Sequence, residues 1–183
     1  MDRGRKDLPL TIGRPELLDD DGDARFRQLV HRLLAFAGRL EAVRTGLGRM
    51  IGLSGIQYTI LICIAHLQGE EGVGVKRIAD HLGLSGAFVT IEAGKLAAEG
   101  LVEKRPNPRD RRRVLLTVTA AARARLDALA PRQRPVNDAL FASLSRADFD
   151  RLGRIAGHLV ADADHALALV DSLGRQPRRA GGR

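Results

Sequence analysis

The chain has 183 residues, of which 44% are hydrophobic, 28% charged and only 3% aromatic, and its formal net charge is +8. That length and balance fit a folded domain with a buried core and exclude a disordered chain, while the shortage of aromatics disfavours a β-sandwich and favours helices packed through Leu, Ile, Val and Ala. The basic surplus calls for a polyanionic partner, nucleic acid or an acidic membrane surface, although no apolar run is long enough to span a bilayer.

Residues 1–23 mix Gly, Pro and charges and end in the acids Asp19, Asp20, Asp21 and Asp23. They read as an irregular arm with a solvated acidic cluster, and without an apolar stretch they do not read as a secretory signal. From 24 to 50 the apolar positions Phe26, Leu29, Val30, Leu33, Leu34, Ala37, Leu40 and Val43 recur every three or four residues. This spacing predicts a long helix with one apolar stripe, suited to half of a subunit interface. The next helix is predicted from Ser54, a good N-cap, to a stop at Gly69, and it is apolar nearly all round, as a central buried helix should be.

The segment VKRIADHLGLSGAFVTIEAGKLAAEGLV predicts a helix over Val75–Leu82, a turn at Gly83 and Leu84, and a second helix capped by Ser85 and closed by Gly100. Two short helices joined by a Gly-containing turn form a helix-turn-helix. Strand-like residues follow at 101–105 and 113–118, with Pro106, Asn107 and Pro108 expected to turn the chain between them. The hairpin carries Arg109, Arg111, Arg112 and Arg113. A basic hairpin directly after a helix-turn-helix is a wing, and Arg is drawn to a narrow groove of negative potential.

A helix capped by Thr119 is expected to end or kink at Pro131 and Pro135 and to resume over 136–144. Ser145 and Asp148 then have capping-box spacing, and the last helix carries a second stripe through Phe149, Leu152, Ile155, Ala156, Leu159, Val160, Ala163, Leu167 and Val170. With no later element to cover it, that stripe is expected to meet the first helix and its own copy in a partner subunit. Residues 174–183 read as a basic tail.

Little else points to chemistry. The single cysteine, Cys63, cannot form an internal disulfide, which fits a reducing cytoplasm. It sits in an apolar helix with no Lys or Arg nearby in sequence, so it reads as core and not as a redox sensor. The five histidines are scattered without metal-ligand spacing, and there is no nucleophile elbow, phosphate loop, dinucleotide fingerprint or zinc-protease motif. Neither an enzyme nor a metal or cofactor site is expected.

Four stretches in uninterrupted order from Leu53 to Thr119 resemble the MarR family of winged helix-turn-helix regulators. They are LSGIQYTIL, KRIADHLGLSGAFVT, KLAAEGLVEKR and the wing sequence RDRRRVLLTVT. The resemblance implies a mainly helical fold with a small β-hairpin, a DNA-binding unit over 51–119, and dimerisation helices over 24–50 and 120–173. It implies that Ser85, Ala87, Phe88, Thr90 and Ile91 lie along a recognition helix in the major groove, with Lys76 and Arg77 on phosphates. Arg111 and Arg112, with Arg109, would be the wing-tip cations, and Asp110 the acid that pairs with an Arg to shape the hairpin. The chain departs from many members at Ile91, where Arg is common. Here Ile91 and Phe88 either touch thymine methyls, or Phe88 packs inward.

What the resemblance implies for function is a cytoplasmic, ligand-responsive dimeric repressor on a pseudo-palindromic operator of double-stranded DNA. The alternative is a non-specific architectural DNA-binding protein. Small aromatic or acidic effectors of such regulators bind between the dimerisation helices and the DNA-binding unit. The lining here would be Leu33, Ala37, Leu40, Tyr58 and Ile62, with Arg39 or Arg44 facing a carboxylate.

Overall fold

The computed structural model describes residues 9–20 and 22–175. The start of the expected arm, Asp21 and nearly all of the expected basic tail lie outside the described residues. The fold is mainly helical with one small antiparallel sheet, and the chain divides into two compact units, Met1–Val136 and Asn137–Arg183.

In the first unit the described arm residues are more organised than a solvated acidic cluster would be. After a single 3-10 turn at Pro15–Leu17, Asp23 is only 6% exposed. Its carboxylate accepts from the Thr11 amide (2.8 Å) and hydroxyl (2.6 Å) and from Arg27 Nε (2.8 Å). Arg27 also donates to the Pro9 carbonyl at 2.6 Å, so one ion pair ties the arm to the helix that follows. A carboxylate can be buried here because these donors replace its water. Bonds from Arg27 and then Thr11 hold the Asp23 carboxyl well below the usual carboxylate range.

Helix α1 (Ala24–Arg49) buries only Leu47 and Gly48, at its C-terminal end, where it packs on α2 (Gly55–Leu67). Upstream, Leu29, Leu33 and Leu34 of the expected stripe remain exposed. Helix α2 starts at a reciprocal capping box. The Ser54 hydroxyl accepts from the Gln57 amide, and Gln57 Oε1 accepts from the Ser54 amide. Its Tyr58, Ile60, Leu61 and Ile64 are fully buried and form the middle of the core.

A two-residue strand β1 (Val73–Gly74) precedes α3 (Val75–Leu82), where the sequence predicts only a helix start. β1 pairs antiparallel with Leu116 and Leu115 of β3 (Asp110–Val118), whose other neighbour is β2 (Val102–Asn107), giving the order β1-β3-β2. Two residues have no alternation to detect, and the pairing exists only because β3 offers an edge. Gly72 makes it reachable: its φ is +97°, and a Cβ there would lie 3.0 Å from Thr117 Cγ2 and 3.1 Å from the Leu116 carbonyl. Between α3 and α4 (Gly86–Ala98) the chain turns through Gly83 at φ +64°, and the Leu84 amide bonds back to the Ala79 carbonyl at 2.9 Å. The hairpin turn itself falls one step later than expected. Pro106 stays in the strand opposite Val114, a bulge follows it, and Pro108 and Arg109 make the turn. A proline is tolerated in β2 because that strand is an edge.

One buried polar clip joins this sheet to α2. Gln68 is 7% exposed and its Oε1 accepts from the Val118 amide at 2.8 Å, fifty residues away in sequence. A Gln68→Ala protein would leave that amide unsatisfied. We expect it to lose about 1–3 kcal/mol of unfolding free energy in a urea titration. A loss below roughly 0.5 kcal/mol would mean that water takes the amide's place.

Helix α5 (Ala120–Leu140) does not end at its prolines but runs on through Pro131 and Pro135. The two prolines are four residues apart and both are exposed. They therefore fall on one solvent-facing stripe, where water can satisfy the carbonyls they leave unbonded. Thr119 caps this helix as expected, accepting from the Ala122 amide and donating to the Gly100 carbonyl. Ala122 and Leu129 of α5 belong to the core of the first unit. In the second unit α6 (Arg146–Gly174) is capped by Ser145, and Phe141 meets Phe149 edge-on at 6.3 Å. No residue of α6 is buried in the single chain, and Leu152, Ile155, Leu159, Val160, Leu167 and Val170 are all exposed. Among the described residues, no helix is long and apolar enough to cross a membrane.

Candidate nucleic-acid interface

The helix-turn-helix and the wing meet around a cleft of about 840 Å³. Lys76, Arg77 and Asp80 of α3, Thr90 of α4, Lys104 of β2, and Arg112 and Arg113 of β3 line it. The sheet brings cations distant in sequence onto one side. Lys104 lies opposite Leu116 and on the same strand face as buried Val102, so it points toward α4. Lys104 is absent from the residues that the sequence singles out, although period-two alternation counted from Val102 marks it.

The cations are not equivalent. Lys76 is bonded to Asp80 at 2.6 Å, one turn along the same helix, and Arg109 at the hairpin turn lies 3.8 Å from Glu71. Arg77, Lys104, Arg111 and Arg112 have no acidic partner among the described residues. Asp110 organises the hairpin from within. One oxygen accepts from the Arg112 amide at 3.2 Å and the other pairs with Arg113 Nε at 3.1 Å, while Asn107 accepts from the Arg109 amide at 2.9 Å. These bonds fix the strand ends that carry Arg111 and Arg112.

Helix α4 buries Val89, Ala93 and Leu96 against the core, together with Glu92, which is only 6% exposed and bonds Lys95 at 2.7 Å. Ser85, Ala87, Phe88, Thr90 and Ile91 all face outward. Of the two placements open for Phe88, the structure has the outward one, at 38% exposure. Ser85 caps the helix by accepting from the Phe88 amide at 3.2 Å.

The residues expected to line an effector pocket are only partly gathered. Arg44 donates to the Thr59 hydroxyl at 2.8 Å and lies 5.2 Å from the centre of the buried Tyr58 ring. Leu40 and Ile62 are half-buried, whereas Leu33, Ala37 and Arg39 are exposed, and Arg39 bonds only the Ala35 carbonyl of its own helix. Arg44 also bears on Cys63, which has no Lys or Arg nearby in sequence but acquires one in space. Burial still dominates and pushes the Cys63 thiol up, with the Arg44 charge pulling it partly back. We expect the folded protein at pH 8 to react with an aromatic disulfide reagent at least about tenfold more slowly than the urea-unfolded chain. Equal rates would show that α2 opens readily to solvent. His66 and His81 are neighbours at 6.3 Å between ring centres. No group of three or more potential metal ligands is gathered among the described residues.

Residues 51–113, which include α2, the helix-turn-helix and most of the wing, match the model of the MarR family. The winged helix has the fold of MarR-family regulators. The solved structures agree on the fold of these regulators. CouR from Rhodococcus jostii RHA1, bound to p-coumaroyl-CoA, is 20% identical with a TM-score of 0.62, over 72% of this chain and 91% of that one. A mutant MarR from E. coli complexed with operator DNA is 17% identical with a TM-score of 0.60, over 74% and 94%. BpsR from Bordetella bronchiseptica, whose DNA binding is regulated by 6-hydroxynicotinic acid, is 21% identical with a TM-score of 0.58, over 72% and 98%. No curated relative matches the chain at the level of sequence. The MarR-type fold thus accounts for the helix-turn-helix, the wing and the three-stranded sheet.

Proposed function

We propose that the chain is a sequence-specific transcriptional regulator, a dimeric repressor whose two α4 helices enter successive major grooves of a pseudo-palindromic operator. The observation that carries this reading is the disposition of charge around α4. Its outward face is uncharged over the first two turns, and cations with no acidic partner among the described residues flank it on α3 (Arg77), on β2 (Lys104) and on the wing (Arg112, with Arg111 next to it in sequence). Flanking cations position a duplex through its phosphates and leave the central helix to meet base edges. A MarR protein of the same fold has been solved in complex with operator DNA, which supports DNA as the partner.

A second copy of the chain is the proposed cover for the apolar side chains left open on α1 and on α6. Contiguous apolar faces of this kind mark subunit interfaces. An aromatic or acidic effector is proposed for the α1–α2 region, where Arg44 offers a guanidinium beside an aromatic ring and Arg39 a second one on α1. The molecule bound to CouR, an aromatic thioester, and the one that regulates DNA binding by BpsR, an aromatic acid, fit that chemistry. Such a ligand would act by binding one spacing of the two α4 helices better than the other.

The test is a binding titration on the DNA upstream of the chain's own gene against scrambled DNA of equal length, at two salt concentrations. A preference of about a thousandfold or more is the expected result. Equal and steeply salt-dependent binding to both would replace this reading with a non-specific architectural DNA-binding protein.

A further inference from the structure

On that reading of α4, we propose that this helix selects its operator through thymine methyl groups, using Ile91 and Phe88, and not through hydrogen bonds to purine edges. The inward positions of α4 are already filled by Val89, Glu92, Ala93 and Leu96, so the outward apolar side chains are not left over from packing. Ile91 is 57% and Phe88 38% exposed, one turn apart on the same face, with the Ala87 methyl group beside them.

The polar groups of this face are largely committed to the helix itself. Thr90 donates its only proton to the Gly86 carbonyl at 2.8 Å, and the Ser85 oxygen accepts from the Phe88 amide. The one acid and the one base of α4, Glu92 and Lys95, are bonded to each other, and Glu92 is buried. No Arg, Lys, Asn or Gln stands between Ser85 and Ile91. Those are the side chains that make bidentate pairs with guanine or adenine. An exposed apolar face has one complement in the major groove, the C5 methyl group of thymine. Phosphate positioning and base selection would then fall to different elements, cations on α3, β2 and the wing for the first and Ile91 with Phe88 for the second.

The experiment starts from the duplex that full-length protein recovers by repeated selection from a random library. Each thymine in that duplex is replaced in turn by deoxyuracil, which pairs identically and lacks only the methyl group. Wild-type protein is expected to bind about fourfold more weakly for each contacted methyl removed, the value of burying one such group. In Ile91→Ala or Phe88→Ala protein the sensitivity should vanish at one of those positions in each half-site. Both residues are exposed, so these variants should keep the wild type's melting temperature, which separates a lost methyl contact from a lost fold.

If a preferred duplex is found but no thymine is sensitive, or both variants keep the wild type's sensitivity at every thymine, the methyl proposal is wrong and the operator reading stands. If no duplex is preferred over scrambled DNA, the operator reading fails and takes this proposal with it.

Discussion

Replacing Arg111 and Arg112 together by alanine is expected to weaken DNA binding by about a hundredfold, and by the same factor on every sequence. Among the described residues these two wing arginines have no acidic partner, whereas Arg113 is tied to Asp110 and Arg109 faces Glu71. Their charge is therefore available to phosphates or to a narrow minor groove. For every phosphate no longer neutralised, the plot of log affinity against log salt should flatten by about 0.9. With two arginines in each of two protomers, the slope should fall by roughly three to four. Both side chains are exposed, so the melting temperature should not move. An unchanged salt slope would place the phosphate contacts elsewhere, with Lys104 and Arg77 as the next cations to test.

The largest expected effect on stability comes from α2. Leu61 has no exposure at all, and its helix packs against α1, α3, α4 and β3. Truncating it to alanine removes buried methyl groups and leaves a cavity that four rigid elements cannot close. We expect a loss of about 2–5 kcal/mol in urea-induced unfolding. That is a large share of the roughly 5–15 kcal/mol typical of a whole domain, so the protein should melt well below the wild type. A loss near 1 kcal/mol would indicate that the neighbouring helices relax into the space.

Much of the helical frame is legible in the sequence because several helices announce their limits chemically. Ser54, Ser85, Thr119 and Ser145 cap where expected, and Gly83 and Gly100 end helices in left-handed conformation. Those are local signals, set by backbone groups within one turn. The expectations that changed depend on partners distant in sequence. Strand β1 exists because β3 lies beside it, Asp23 is buried because Thr11 and Arg27 close over it, and Cys63 gains Arg44 from another helix. In sequence, the prolines of α5 count only by what they remove from a helix. The outcome turns on where they point, and both point to water.

The candidate site divides along the same line. Residue type and order along the chain were enough to determine that a helix-turn-helix is followed by an arginine-bearing hairpin, since capping, turn and strand preferences act over a few residues and survive without context. Which arginines are spoken for, that Lys104 joins them, and that Phe88 and Ile91 face outward were decided only by the tertiary structure. A side chain's direction depends on which face of its element the core claims, and a charge's availability on which acid the fold brings within reach.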